Sequence, residues 1–295
     1  MDFRTTPFLC ATLLLAACGS GSGVVSINSN TGFSQIYPSN YLEGTALSYG
    51  EIENGLVVYM GGQDGTVSEF HVQLDRMGTP DDATDDALFV QRNGGPTVRY
   101  DVTDVTRDDG IRNLVLSAEA ANGDEFSVST SIIDSFIPVS EHTGISTSYV
   151  DTNTTPGVRI LNFGGGGLET ARSDLPSEAT YRGEYALFSA TSSFEILGGS
   201  TLVVDFADGR VSGTHRGDMD IGGVTGTYDG RVNGTRMGGT MSMTGDATGA
   251  LEFAGIAIGE GASRVVLGIG GTVMHEGAEK ALGGQSILFI TPFPG

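Results

Sequence analysis

Val224-Thr225-Gly226-Thr227-Tyr228-Asp229-Gly230-Arg231-Val232-Asn233 is the stretch whose reading decides the fold class of this chain. Val224, Gly226, Tyr228, Gly230 and Val232 share one parity, and Thr225, Thr227, Asp229, Arg231 and Asn233 share the other. Period two is the signature of a strand with one face on a core and one in water. Asp229-Gly230 is also a favoured two-residue hairpin turn, so one long strand and a tight hairpin both fit. The phase changes before Met241 and Met243, which places a bulge or turn near residues 236–239.

The same punctuation extends in both directions. Downstream, strands are predicted at 239–244, 249–258, 265–274 and 286–290, and upstream at 181–189, 201–206 and 210–215. On 201–206, Leu202, Val204 and Phe206 share one face, while Thr201, Val203 and Asp205 share the other. The apolar set is expected inside, because a buried carboxylate needs a partner or must become neutral. Asp205 then faces out, or caps the turn Ala207-Asp208-Gly209. About eight short strands in 177–295 suit a small closed barrel.

The first half carries strands at 56–60, 66–74, 88–91, 97–102, 111–118, 125–133 and 158–163. Within the second of these, Phe70, Val72 and Leu74 face one way and His71 and Gln73 the other. Asn93-Gly94-Gly95-Pro96, Asp108-Asp109-Gly110 and Asn122-Gly123-Asp124 read as turns. The Thr/Ser-rich segment 141–156 reads as an extended loop. Residues 164–176, opening on Gly164-Gly165-Gly166-Gly167, read as a linker. No segment sustains a 3.6-residue apolar period. The fold class is therefore all-β: a β-rich domain over 24–163, then a small, roughly eight-stranded antiparallel β-barrel over 177–295. The 46 glycines are about twice the usual ~7% of residues. They suit strands that curve sharply or must leave room in a narrow interior.

The first 17 residues form a leader. Arg4 and the amino terminus are positive, and residues 8–15 are apolar apart from Thr12. That run is too short to span a bilayer, which takes roughly 20 apolar residues, and fits a cleaved export signal. Leu15-Ala16-Ala17-Cys18 resembles the lipobox of bacterial lipoproteins, which assigns Cys18 as the lipidated residue. Residues 18–23 then supply the anchor and a Gly/Ser tether. Gly19-Ser20 lacks the aspartate that retains lipoproteins on the inner membrane, so the outer membrane is expected. Cys10 lies in the leader, so the mature chain keeps one thiol and no internal disulfide.

Net charge is −21. That surface repels phosphate backbones, so nucleic acid is a poor partner. It also repels anionic headgroups, so the expected membrane contact is the lipid on Cys18.

The second half resembles the β-barrel domain of transferrin-binding protein B and its relatives, which include factor H-binding protein. Leu175-Pro176 followed by Ala179-Thr180-Tyr181-Arg182-Gly183-Glu184-Tyr185 is similar to the family's Pro turn and Tyr-x-Gly strand, with Glu178 where a glycine is often seen. Val203-Val204-Asp205-Phe206-Ala207-Asp208-Gly209-Arg210-Val211-Ser212-Gly213 resembles its Val-Asp-Phe strand, turn and Gly-ending return. Gly249-Ala250-Leu251-Glu252-Phe253 and Ala278-Glu279-Lys280-Ala281-Leu282-Gly283-Gly284 follow in the same order. The closing Ile287-Leu288-Phe289-Ile290 departs from the pattern by running into Thr291-Pro292. The match covers roughly 174–290. By domain order alone it implies a handle-like first domain. It also implies a surface lipoprotein that binds iron carriers, haem proteins or complement regulators through variable loops.

No catalytic residues are nominated. The chain has no Gly-x-Ser-x-Gly, no His-Glu-x-x-His and no phosphate-binding loop. His71, His142, His215 and His275 lie outside metal-ligand spacing of one another; His215 and His275 become haem or metal ligands only if they meet in the barrel mouth. Asp75, Asp81, Asp82, Asp85 and Asp86 form an acidic loop without the closing Glu of an EF-hand. No resident cofactor or metal is expected. The leading reading is a non-catalytic binding protein presenting loops to an extracellular protein or ligand, iron- or haem-related on the strength of the resemblance. Two others stay open: a lipocalin-like carrier of a small apolar ligand or haem, and a structural or adhesive envelope lipoprotein.

Overall fold

Strand alternation persists through both halves of the chain, and each half closes on itself. A computed structural model describes residues 55–76, 85–108, 113–132, 143–151, 160–189, 194–219 and 222–291. The first ring comprises β1 (Leu56–Gly62), β2 (Val67–Asp75), β3 (Ala87–Arg92), β4 (Thr97–Asp108), β5 (Asn113–Ala120), β6 (Glu125–Ile132), β7 (Thr143–Asp151) and β8 (Ile160–Gly167). The second comprises β9 (Glu178–Phe188), β10 (Glu195–Asp205), β11 (Arg210–Met219), β12 (Gly222–Asn233), β13 (Arg236–Gly245), β14 (Ala247–Ile258), β15 (Arg264–His275) and β16 (Ala278–Ile290). Each strand pairs antiparallel with its sequence neighbours; β8 closes the first barrel on β1, and β16 closes the second on β9. Closure removes the free edges that an open sheet exposes.

Two expectations change, and one open alternative is settled. The segment 141–156, read as a loop, contains β7, paired with β6 and β8. Its Thr and Ser residues hid a strand because they supply no apolar alternation. Gly164 to Gly167, read as the opening of a linker, are the last residues of β8 and pair with β1. Those four positions contribute backbone ladder and no side-chain pattern, so their strand was invisible. The connection between barrels is 168–177, with a short 3₁₀ turn at Arg172–Asp174. Finally, Asp229 and Gly230 lie inside the continuous β12, paired with Ser212 and Val211 on one side and Thr240 and Gly239 on the other. The turn is at Gly234 and Thr235, where Gly234 takes φ +62°, the left-handed region that favours glycine.

Parity sorts the cores as the sequence indicated. Phe70, Val72 and Leu74 of β2 join Leu56, Val58, Met60, Leu88, Tyr100, Leu116 and Phe126 inside the first barrel. Leu202 and Val204 of β10 are fully buried with Tyr181, Leu187, Met241, Leu251 and Leu267 inside the second, and Phe206 packs against that core half-buried.

The barrels also pack on one another. Tyr59, Ile256, Ile258, Val266 and Ile287 form a separate buried apolar cluster, flanked by Val57, Ala254 and Phe289. Phe163 of β8 meets Phe188 of β9 at 5.2 Å between ring centroids. Beside these, backbone lies on backbone. A Cβ at Gly268 would come within 2.7 Å of the Met60 main chain, and one at Gly270 within 2.7 Å of Gly65 O. A Cβ at Gly283 would collide with the Gly62 main chain. Glycine at β15 and β16 is what allows β1 to approach this closely.

Candidate functional sites: the filled barrel and the junction

Inward parity on β9, β10, β11 and β12 places Tyr185, Ser200, His215 and Tyr228 inside the second barrel, all buried. Their rings, with Phe253, form a continuous column. Tyr185 and His215 are 5.5 Å apart edge-on, His215 and Tyr228 are 5.7 Å apart, and Tyr228 and Phe253 are 5.5 Å apart. A buried polar column is stable only if its polar atoms find partners. Ser200 Oγ lies 2.8 Å from Tyr228 Oη. His215 Nε2 lies 2.6 Å from the carbonyl oxygen of Ser242, and Nδ1 lies 3.2 Å from Tyr185 Oη.

Those contacts fix a tautomer. A carbonyl oxygen only accepts, so Nε2 carries the hydrogen and Nδ1 accepts from the Tyr185 hydroxyl. Burial pushes the His215 pKa down, and the hydrogen bond to the Ser242 carbonyl opposes that shift in part. The residue is therefore a neutral core histidine with both nitrogens engaged. Gly226 faces it across the ladder; a Cβ there would lie 2.5 Å from Nε2 and collide with Ser242 O.

The sequence-nominated histidines do not converge. His275 sits at the end of β15, packs its ring against that of Phe194 with centroids 4.6 Å apart, and places Nδ1 3.0 Å from Asp246 O. His71 belongs to the first barrel, and His142 lies outside the described residues. Of the acidic loop, Asp75 ends β2, Asp85 is exposed and Asp86 is buried; Asp81 and Asp82 lie outside the described residues. Among the described residues, no group of three or more His, Cys, Asp or Glu side chains is placed to hold a metal ion. Cys18 also lies outside them.

The junction carries a polar cluster that sequence reading missed. Glu69 projects outward from β2 and accepts the Tyr59 hydroxyl at 2.6 Å. It also meets His71 Nε2 at 2.7 Å and accepts from Arg236 Nη1 of β13 at 2.9 Å. Arg236 Nε lies 3.5 Å from Glu169, which also accepts the Thr235 hydroxyl. Thr170 ties the connecting segment to β14, its hydroxyl donating to Gly259 O at 2.7 Å. Burial raises the Glu69 pKa, but the hydrogen bonds from Tyr59 and His71 and the charge of Arg236 outweigh it and hold the carboxyl below its ordinary value. Burial, reinforced by the adjacent carboxylate, pushes the Tyr59 hydroxyl well above the ordinary tyrosine range. The one local signal was the outward parity of Glu69 and His71 on β2. Their partner is 167 positions away from Glu69.

No family model and no curated protein matches this chain. Among solved structures, it is similar to a double mutant of transferrin-binding protein B from Haemophilus parasuis Hp5, at 11% identity and a TM-score of 0.41. That alignment covers 79% of this chain and 45% of the other, so the chain spans under half of that protein's length. It is also similar to isotype 1 transferrin-binding protein B from serogroup B Neisseria meningitidis, at 10% identity and a TM-score of 0.37, covering 77% and 66% of the two chains. These are structures of the family that the motifs of residues 174–290 resemble. The strand pairings of the chain itself define its two barrels.

Proposed function

We propose that this chain is a non-catalytic, lipid-anchored binding protein of the outer membrane, held by acylated Cys18 and presenting its barrels to an extracellular protein or ligand. The observation that supports it best is the occupancy of the second barrel. Tyr185, His215, Tyr228 and Phe253 cross the interior in mutual contact, and the polar atoms of the first three have partners within it. A lipocalin-like carrier keeps that space for its cargo, so recognition is assigned to the outside of the barrels. The same column argues against haem ligation by His215, whose two ring nitrogens are already engaged.

Two measurements test the reading. Radiolabelled palmitate should enter the wild-type chain and not Cys18→Ser; equal labelling of the two removes the anchor. A pull-down with unacylated, tagged residues 24–295 should recover one stoichiometric extracellular protein. A co-purifying lipid or chromophore revives the carrier, and self-assembly favours a structural envelope role. Protease shaving of intact cells reads which side of the membrane the barrels face.

A further inference from the structure

Seven of the eight seams of the second barrel pair without a gap over their span. The seam between β12 and β13 does not. Its register is the same on both sides, with Thr225 opposite Thr244 and Tyr228 opposite Met241, but pairing lapses where Gly226 and Thr227 face Met243 and Ser242. There the Thr227 N–H donates to Ser242 Oγ at 3.0 Å instead of to a carbonyl, and the two side-chain oxygens lie 2.9 Å apart. The Ser242 carbonyl turns inward and accepts from His215 Nε2 at 2.6 Å. A side chain of β11 thus supplies the donor that the β12 backbone withholds.

Nothing beside His215 can balance the charge it would carry as an imidazolium. It faces Tyr185 from β9, where the neighbouring Glu184 points outward. From β10 comes Ser200, from β12 Gly226 and Tyr228, and from β13 the Ser242 carbonyl between Met241 and Met243. On its own strand, Thr214 and Arg216 are exposed. Arg264, the one buried charged side chain in the strands of the second barrel among the described residues, lies over Phe289 on the junction side. His275 and Lys280 belong to the barrel end. An unpaired cation enclosed in such a place is costly. Protonation also turns Nδ1 from an acceptor into a donor, so the Tyr185 hydroxyl must stop donating to it. Water relieves both problems. Its easiest entry is the lapsed stretch, where side-chain contacts and not backbone pairs hold the strands.

We infer that the contact of His215 with Ser242 is an acid-responsive latch, whose protonation opens the β12–β13 seam locally at Thr227 and Ser242 while the rest of the ring stays paired. Burial holds the His215 pKa below its ordinary value in the closed form. The closed seam is therefore favoured above the ordinary histidine value of about 6.5 and is progressively lost as pH falls below it. Openings confined to one such segment are an established mode of native-state motion. The outer face follows the same stretch, because Thr225 with Thr244 and Thr227 with Ser242 hold each other across it. The latch ties that exposed hydroxyl face to the surrounding pH.

The test is amide hydrogen exchange on the full-length chain carrying Cys18→Ser, corrected for the pH dependence of free-amide exchange. Between about pH 7.5 and about pH 5.5, opening at the Thr227 amide and at its neighbours on the β12–β13 seam should rise by up to about tenfold. Amides across the β9–β10 seam should keep their protection. In His215→Gln, which retains a donor and an acceptor but cannot titrate, the rise should vanish. The His215 ring signal, followed by NMR in the otherwise native chain, should titrate with the same midpoint as the opening. That measurement stands even if the Gln variant fails to fold. Unchanged protection at the seam overturns the latch, as does a rise that persists in His215→Gln or a ring midpoint that differs from that of the opening. Simultaneous loss across the β9–β10 seam also overturns it, since the barrel would then be unfolding as a whole.

Discussion

Glu69 of β2 and Arg236 of β13 meet at 2.9 Å, joining the two barrels through a carboxylate that Tyr59 and His71 also hold. The side chains keep 26% and 40% of their exposure, so solvent screens much of the attraction. Breaking the contact with Arg236→Met should therefore cost only about 1 kcal/mol. The more informative readout is cooperativity. Wild type should unfold in one transition and Arg236→Met in two, as the barrels lose part of what couples them. A single, uniformly lowered transition would mean that the apolar cluster alone carries the coupling. Acid should act on the same contact. The Glu69 pKa is lowered in the folded state, so its contribution is complete above the unfolded carboxyl value of about 4.3 and is lost as pH falls through the folded value. Glu69→Gln should remove that low-pH component of the stability curve.

Gly283 of β16 leaves no room for a side chain against the Gly62 main chain. Gly283→Val should separate the barrels without opening either ring, because the inward residues of β16, such as Leu282 and Leu288, are untouched. Scattering should show an extended particle, and proteolysis within 168–177 should accelerate. Residues 174–295 expressed alone should then fold, with a β-type circular dichroism spectrum, and self-associate. Ile256, Ile258, Val266 and Ile287 would be left without cover. A disordered fragment would mean that the rings depend on one another for folding.

What the sequence disclosed follows from range. Leu202 and Val204, or Phe70, Val72 and Leu74, are sorted by a period that one strand displays on its own. Ring closure is different: β1 pairs with β8 more than a hundred positions later, through glycines that carry no pattern. The junction was hidden for the same reason, since Gly61, Gly268, Gly270 and Gly283 show why they are glycine only once the other barrel is in place. The strand predicted at 210–215 ended on His215, whereas β11 runs on to Met219, which places His215 mid-strand and buried. The run Val211, Gly213, His215, Gly217 keeps inward parity throughout, which was the available signal. The first barrel's closure exceeded the β-rich domain expected of it.

His215 should make the second barrel acid-sensitive. Its folded pKa is lowered, so the unfolded chain binds a proton more readily than the folded one. Stability is complete above the unfolded histidine value of about 6.5 and declines as pH falls below it, until the folded value is passed. No carboxylate in the column compensates: the neighbours are Tyr185, Tyr228 and the Ser242 carbonyl. His215→Gln should flatten the melting-temperature profile as pH falls below about 6.5. A profile identical to wild type would assign the acid response to other groups. Gly226→Ala, which crowds Nε2, should destabilise at every pH.

Asp205 and Phe206 are neighbours with opposite duties. Asp205 faces outward at the end of β10 and its Oδ1 accepts the Asp208 backbone N–H at 2.8 Å, capping the turn into β11. Phe206 turns toward the core beside Leu202 and Val204, but it is only half-buried. A fully buried aromatic costs about 3–5 kcal/mol on truncation, so Phe206→Ala should fall below that range, at roughly 2 kcal/mol. Asp205→Asn keeps the accepting oxygen and should cost under ~0.5 kcal/mol, while Asp205→Ala removes the cap and should cost about 1 kcal/mol. The order Phe206→Ala, Asp205→Ala, Asp205→Asn is the sharp expectation, measured by urea midpoints at constant m. If Asp205→Asn cost as much as Asp205→Ala, the negative charge and not the accepting oxygen would be the stabilising feature, through Arg210 opposite it on β11.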